Sequence, residues 1–254
     1  MATKTTRVDW PSVVLYYVLA CAVSWPFFWW RDMHPASWQA WRFPNFLKTS
    51  CIMWGPGLAA LAVLGLRRVH HPRTITFFGP SRGHSLSFFV LPLITLATVY
   101  APIVGSRAAL VGVLLVLGFF KILGEELGWR GFLQDALRPL PPGWRYLTIG
   151  VLWEFWHFTN RTSGPDVSET VRGLMLWYPM VIALSVVIGE ATDRARSLIV
   201  AVTLHFWTDA LFEVPRLVDG PAWPTYLVFG LSLIFWAVLL WFWPSPQARE
   251  PALA

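Results

Sequence analysis

Long apolar runs separated by short polar stretches predict eight helical segments along this chain, near 12–30, 51–66, 86–105, 108–127, 146–160, 171–190, 197–213 and 223–243. A helix that crosses a bilayer needs about 20 largely apolar residues, within a range of roughly 17 to 25. The second and fifth segments are short on that scale. The fourth is expected to run on as helix to about Arg138, until Pro139-Leu140-Pro141-Pro142 stops it. The first run follows Lys4 and Arg7, as a signal peptide would. No small-residue cleavage site comes after it, and it ends Trp25-Pro26-Phe27-Phe28-Trp29-Trp30, so it reads as an uncleaved first span.

Composition strengthens this picture. Of 254 residues, 56% are hydrophobic and only 13% charged, against about 25% charged in ordinary soluble domains. A soluble surface could hardly be built from this chain, and the expected class is an all-α polytopic membrane protein of about eight transmembrane helices. The 17 Trp and 18 Phe suit that medium. The net charge of +6 would suggest a nucleic-acid partner in a soluble protein, but here basic loops that orient the chain in the bilayer account for it. Placing the loop with Arg67, Arg68, Arg73 and Arg82 in the cytoplasm puts Lys4, Arg7, Arg130, Arg138, Arg145, Arg194, Arg196 and Arg249 there too. Both termini are then cytoplasmic. Scarce Lys beside abundant Arg, Trp and Ala points to a GC-rich bacterial genome, hence a bacterial cytoplasmic membrane. Two cysteines, Cys21 and Cys51, can build neither a disulfide framework nor a cysteine-rich metal site. With no repeat, linker or low-complexity tract, residues 1–254 are expected to form a single transmembrane domain.

Ionisable residues inside a membrane are costly and mark function by default. Three spans carry them. Span four has Gly124-Glu125-Glu126-Leu127-Gly128-Trp129-Arg130, span five has Trp153-Glu154-Phe155-Trp156-His157, and span seven has His205-Phe206-Trp207-Thr208-Asp209. Glu126 and Arg130, Trp153 and His157, and His205 and Asp209 are each four apart, so each pair shares a helix face. Packed together, the three polar stripes would enclose a site of Glu, His, His and Asp. Glu154 lies three residues before His157 and projects near the same face.

A carboxylate in a poorly solvated pocket holds a proton more readily than one in water and serves as a general base for water. A histidine can orient that water, and a second His with a short polar neighbour can stabilise an oxyanion. The set suits acyl-bond hydrolysis. The same four residues, Glu125, His157, His205 and Asp209, could instead hold a divalent metal such as zinc. No His-Glu-x-x-His occurs, nor any Gly-x-Ser-x-Gly, and Ser185 and Ser197 lie away from the histidines in sequence. Lys121 reads as a snorkelling or paired residue, Glu190 to Arg196 as a solvated turn, and His70, His71 and His84 as loop histidines.

At these residues the sequence resembles the CAAX-protease and bacteriocin-processing (CPBP, or Abi) intramembrane endopeptidases. Their pattern is Glu-Glu-x-x-x-Arg, Phe-x-x-x-His and His-x-x-x-Asn or Asp on successive helices of an eight-helix fold. Here the motifs run Glu125 to Arg130, Trp153 to His157 with Trp in place of Phe, and His205 to Asp209 in the Asp variant. Gly55-Pro56-Gly57-Leu58-Ala59-Ala60-Leu61 and the Arg196-Ser197-Leu198 entry to span seven are softer likenesses, and the whole covers about 50–212. The resemblance implies that Glu125 is the general base and that His157 helps hold the nucleophilic water. It implies that His205 and Asp209 stabilise the oxyanion or complete the water site, with Glu126 and Arg130 as a supporting pair. It implies a hydrophobic, prenylated or membrane-associated peptide substrate, with no obligatory metal or, alternatively, zinc. Two rival readings are a non-catalytic binding, immunity or scaffold protein of the same fold, and a small proton-coupled transporter that relays protons through buried Glu and His. Internal symmetry of two halves, which would favour a transporter, is absent from the sequence.

Overall fold

In a computed structural model the described residues are 7–33, 43–67, 74–105, 108–158, 167–218 and 223–243, with side chains at some helix ends left aside. The loop holding His70 and His71 and both chain ends fall outside them. The described chain is helical, with one isolated parallel bridge between Thr76 and Ser197. Eight helices of 15 residues or more occur among the described residues: α1 Trp10–Met33, α2 Phe43–Arg67, α3 Arg82–Val104, α4 Ala108–Gly128, α5 Pro142–Trp156, α6 Val167–Ala195, α7 Leu198–Val218 and α8 Trp223–Trp241. Five of them, α1, α2, α3, α6 and α8, are long and apolar enough to cross a membrane. At 15 residues α5 is too short for that, since it rises about 22 Å against a hydrocarbon core of about 30 Å. Large apolar side chains stand in the open, Met175 at 72% and Trp241 at 74% exposure among them. Lipid, not water, is the solvent such faces call for.

The proline stop works as predicted, with a refinement. After Gly128 the chain continues through a wide π turn, Trp129–Leu133, then an α-helical stretch, Gln134–Ala136, before turning. Pro142 then opens α5 as its first residue, where a missing N–H costs nothing because that position has no helical partner anyway.

The contacts divide the chain into two compact units, 1–74 with 113–190 and 75–112 with 191–254. In the first, α1 is tied to α2 by Ser24, whose hydroxyl donates to the Ile52 carbonyl at 2.8 Å. It is tied to α5 by Tyr17 donating to Leu152 O at 2.9 Å and the Trp25 indole donating to Trp156 O at 3.1 Å. The second bond satisfies one of the carbonyls a helix C-terminus leaves without a partner. In the Gly55-Pro56-Gly57 segment of α2, Gly55 lies against Ala20 and Ser24 of α1, while Pro56 and Gly57 lie flush against α4. A Cβ on Gly57 would come 2.7 Å from the Gly124 carbonyl, one on Gly124 would meet Trp54 at 2.7 Å, and one on Gly128 would meet Pro56 at 2.5 Å. We expect Gly128→Ala to cost about 1–3 kcal/mol by overpacking. Denaturation of the purified protein in detergent measures it, and an unchanged midpoint would contradict so close an approach.

The second unit is built around aromatic stacking. Trp236 of α8 stacks on Phe88 of α3 at 5.3 Å between centroids, donates its N–H to the Phe88 carbonyl at 2.9 Å, and meets Trp207 of α7 edge-on at 6.2 Å. The entry to α7 is pinned by the segment before α3. Thr76 N donates to Arg196 O and Leu198 N to Thr76 O, at 3.0 and 2.9 Å. Arg196 itself takes φ +50. Arg194 donates to Leu240 O at 2.6 Å and to Trp241 O at 3.3 Å, placing a cation at the negative end of the α8 dipole. The turn read as merely solvated therefore also caps a helix.

Candidate active site

The first unit gathers Glu125, Glu126, Arg130, Trp153, Glu154 and His157. Glycines on either side of the two glutamates let α4 press against α2, so both carboxylates are carried into the interior. Glu125 is 1% exposed, and Glu126, Arg130 and Glu154 are fully buried. Arg130 Nη1 donates to Glu126 Oε1 at 2.6 Å, the four-residue spacing closing an ion pair out of reach of solvent. The same guanidinium lies 4.6 Å over the Trp153 ring, a cation–π contact strengthened by desolvation.

Trp153 joins two of the motifs. Its indole N–H donates to Glu125 Oε2 at 2.9 Å, so the aromatic that stands in the Phe position also fixes the orientation of a carboxylate. A phenyl ring could not do that. One turn later α5 ends, and His157 sits at its C-cap. His157 Nδ1 is 3.0 Å from the Trp153 carbonyl. A carbonyl only accepts, so the proton belongs on Nδ1 and the neutral ring carries its lone pair on Nε2. Glu154 Oε2 stands 3.9 Å from the same Nδ1. The ring is held by Trp156, edge-on at 4.7 Å.

Below the motif, the π turn is closed by the Gln134 N–H donating to Trp129 O. Such turns add one residue to a helix and are frequent at functional sites. The next residues are gripped: Gln134 Nε2 donates to Gly189 O at 3.0 Å, and Asp135 accepts from the Thr74 N–H at 2.9 Å, from the Thr74 hydroxyl, and from Arg138 Nε at 2.9 Å. Sequence reasoning missed these anchors. The buried Gln134 and Asp135 follow the motif directly, and a polar pair inside an apolar helix was the available signal.

In the second unit His205 is buried and Asp209 half-buried, one turn apart on α7. Between them the Thr208 hydroxyl donates to the His205 carbonyl at 2.6 Å. The two serines set aside in the sequence serve packing. Ser185 Oγ donates to Tyr146 O at 3.0 Å, while Ser197 Oγ is 2.8 Å from Ser85 Oγ and donates to Phe77 O. Among the described residues no three His, Cys, Asp or Glu side chains are grouped to hold a metal ion.

Residues 107–211 match the family model described as type II CAAX prenyl endopeptidase Rce1-like. An alignment of 94 positions is 27% identical to CAAX prenyl protease 2 of Methanococcus maripaludis, covering 32% of this chain and 33% of that protein. The chain thus spans about a third of the length of the curated relative it matches. The family resemblance read from the three motifs is borne out.

Proposed function

We propose that this protein, whose residues 107–211 match the Rce1-like family model, is an intramembrane endopeptidase that hydrolyses a peptide bond by glutamate-activated water. The observation that carries the reading is a buried carboxylate, Glu125, held at 2.9 Å by the Trp153 indole on a helix that ends in His157. Glu125 takes a proton from water as the water oxygen attacks the peptide carbonyl, and later delivers it to the departing amine. The C–N bond breaks, leaving a carboxylate and an amine. His157, with its Nδ1 proton committed to the Trp153 carbonyl, offers Nε2 as acceptor to the same water. His205 and Asp209 take the role the third motif assigns them, stabilising the developing oxyanion. Glu126 and Arg130 hold the α4 segment in shape. The substrate we assign is a hydrophobic, prenylated or membrane-associated peptide, and the setting a bacterial cytoplasmic membrane with both termini inside.

The test is hydrolysis of quenched fluorescent peptides, prenylated and unmodified, by the purified full chain in vesicles, with and without a chelator. Cleavage that survives chelation is expected. Cleavage lost to the chelator and restored by zinc would replace glutamate catalysis with a metal mechanism. Tight peptide binding without cleavage across the panel would favour the scaffold reading.

A further inference from the structure

Five hydrogen-bond donors clustered in the first unit are buried and meet no acceptor among the described residues: the Tyr16 hydroxyl, the indole N–H groups of Trp129 and Trp156, and Nε and Nη2 of Arg130. All four residues are fully buried. They are also neighbours. Tyr16 meets Trp129 edge-on at 5.8 Å between centroids, Trp129 meets Trp156 at 6.0 Å, and Arg130 follows Trp129 in the chain. Arg130 lies over Trp153, which in turn holds Glu125. A buried donor left without an acceptor forfeits its whole hydration, so several in one place call for a ligand that accepts.

The charge nearby narrows the choice. An anion would satisfy the donors but would sit beside Glu125 and Glu126, two carboxylates against one guanidinium. Water is neutral, accepts from N–H and O–H groups, and can pass its own hydrogens to carboxylate oxygens, so it suits both halves of the surroundings. We propose that Tyr16, Trp129, Arg130 and Trp156 bind a small cluster of ordered water inside the first unit, adjoining Glu125. The cluster rests on the hydrolase reading only in its purpose: it supplies the reactant that peptide hydrolysis consumes, in a medium that otherwise excludes it.

Pulsed X-ray radiolysis with mass spectrometry tests this, because water bound next to a buried ring generates hydroxyl radicals there. After correction for intrinsic reactivity, Tyr16, Trp129 and Trp156 should oxidise several-fold faster than Trp236. That tryptophan is equally buried, but its N–H already donates to the Phe88 carbonyl. Tyr16→Phe, which keeps the ring and removes one donor, should slow oxidation of Trp129 several-fold and lower kcat with little change in KM. Oxidation no faster than that of Trp236 overturns the water cluster, whatever the peptidase assay reads. Fast oxidation that persists in Glu125→Gln supports it, and stands even if no peptide is cleaved, an outcome that would remove the hydrolase reading alone.

Discussion

Glu125→Gln is expected to leave the protein folded and to lower kcat for peptide hydrolysis by roughly 10²–10⁴-fold, the usual worth of a positioned acid–base group. The amide has the shape of the carboxylate, and its carbonyl oxygen can still accept from the Trp153 indole, so the packing around α4 and α5 is kept. What the amide lacks is the basicity to take a proton from water. The assay is initial-rate cleavage of the best peptide in the panel, with the denaturation midpoint of both proteins measured in parallel. Equal cleavage by the two proteins would remove Glu125 from the reaction.

Arg130→Ala is expected to destabilise the protein by about 3–5 kcal/mol, because it strands the Glu126 charge in the interior. Both partners are fully buried and 2.6 Å apart, and the variant also loses the cation over Trp153. Most of that cost comes from the stranded charge, not from the attraction. The double variant Glu126→Gln with Arg130→Met, which removes both charges and keeps volume, should therefore recover most of the stability. Equilibrium unfolding in mixed detergent measures both. A loss below about 1 kcal/mol for Arg130→Ala, the worth of a solvent-exposed pair, would mean that the Glu126 charge is not stranded when its partner is removed.

Much of the helical layout was legible because the relevant physics is local. Apolar length marks a span, proline ends one, and a charge inside an apolar run is conspicuous. The eight segments and the stop at Pro139 follow from those rules, and so do the stripes that bring Glu126 to Arg130 and Trp153 to His157. What was not legible depends on partners distant in sequence. Tyr16 is one of two adjacent tyrosines in an apolar run, and nothing nearby says that it meets Trp129. Asp135 acquires its meaning from Thr74, 61 residues away. The Trp in place of Phe keeps an aromatic ring, and only the fold shows that its N–H reaches a carboxylate on another helix. The Gly55-Pro56-Gly57 segment reads in the sequence as a family likeness only, whereas in the fold its glycines admit α1 on one side and α4 on the other.

The wide turn at Trp129–Leu133 separates two fixed points on one helix. Above it, Gly124 and Gly128 are seated against α2; below it, Gln134 and Asp135 are gripped by Gly189 and Thr74. Neither end can slide, so the surplus residue works as a spacer that reconciles two independent registers. Residue count between 128 and 134 is therefore as constrained as residue identity. A chain shortened by one position there would have to rotate either its carboxylates or its lower anchors by about 100°, the angle one α-helical residue subtends.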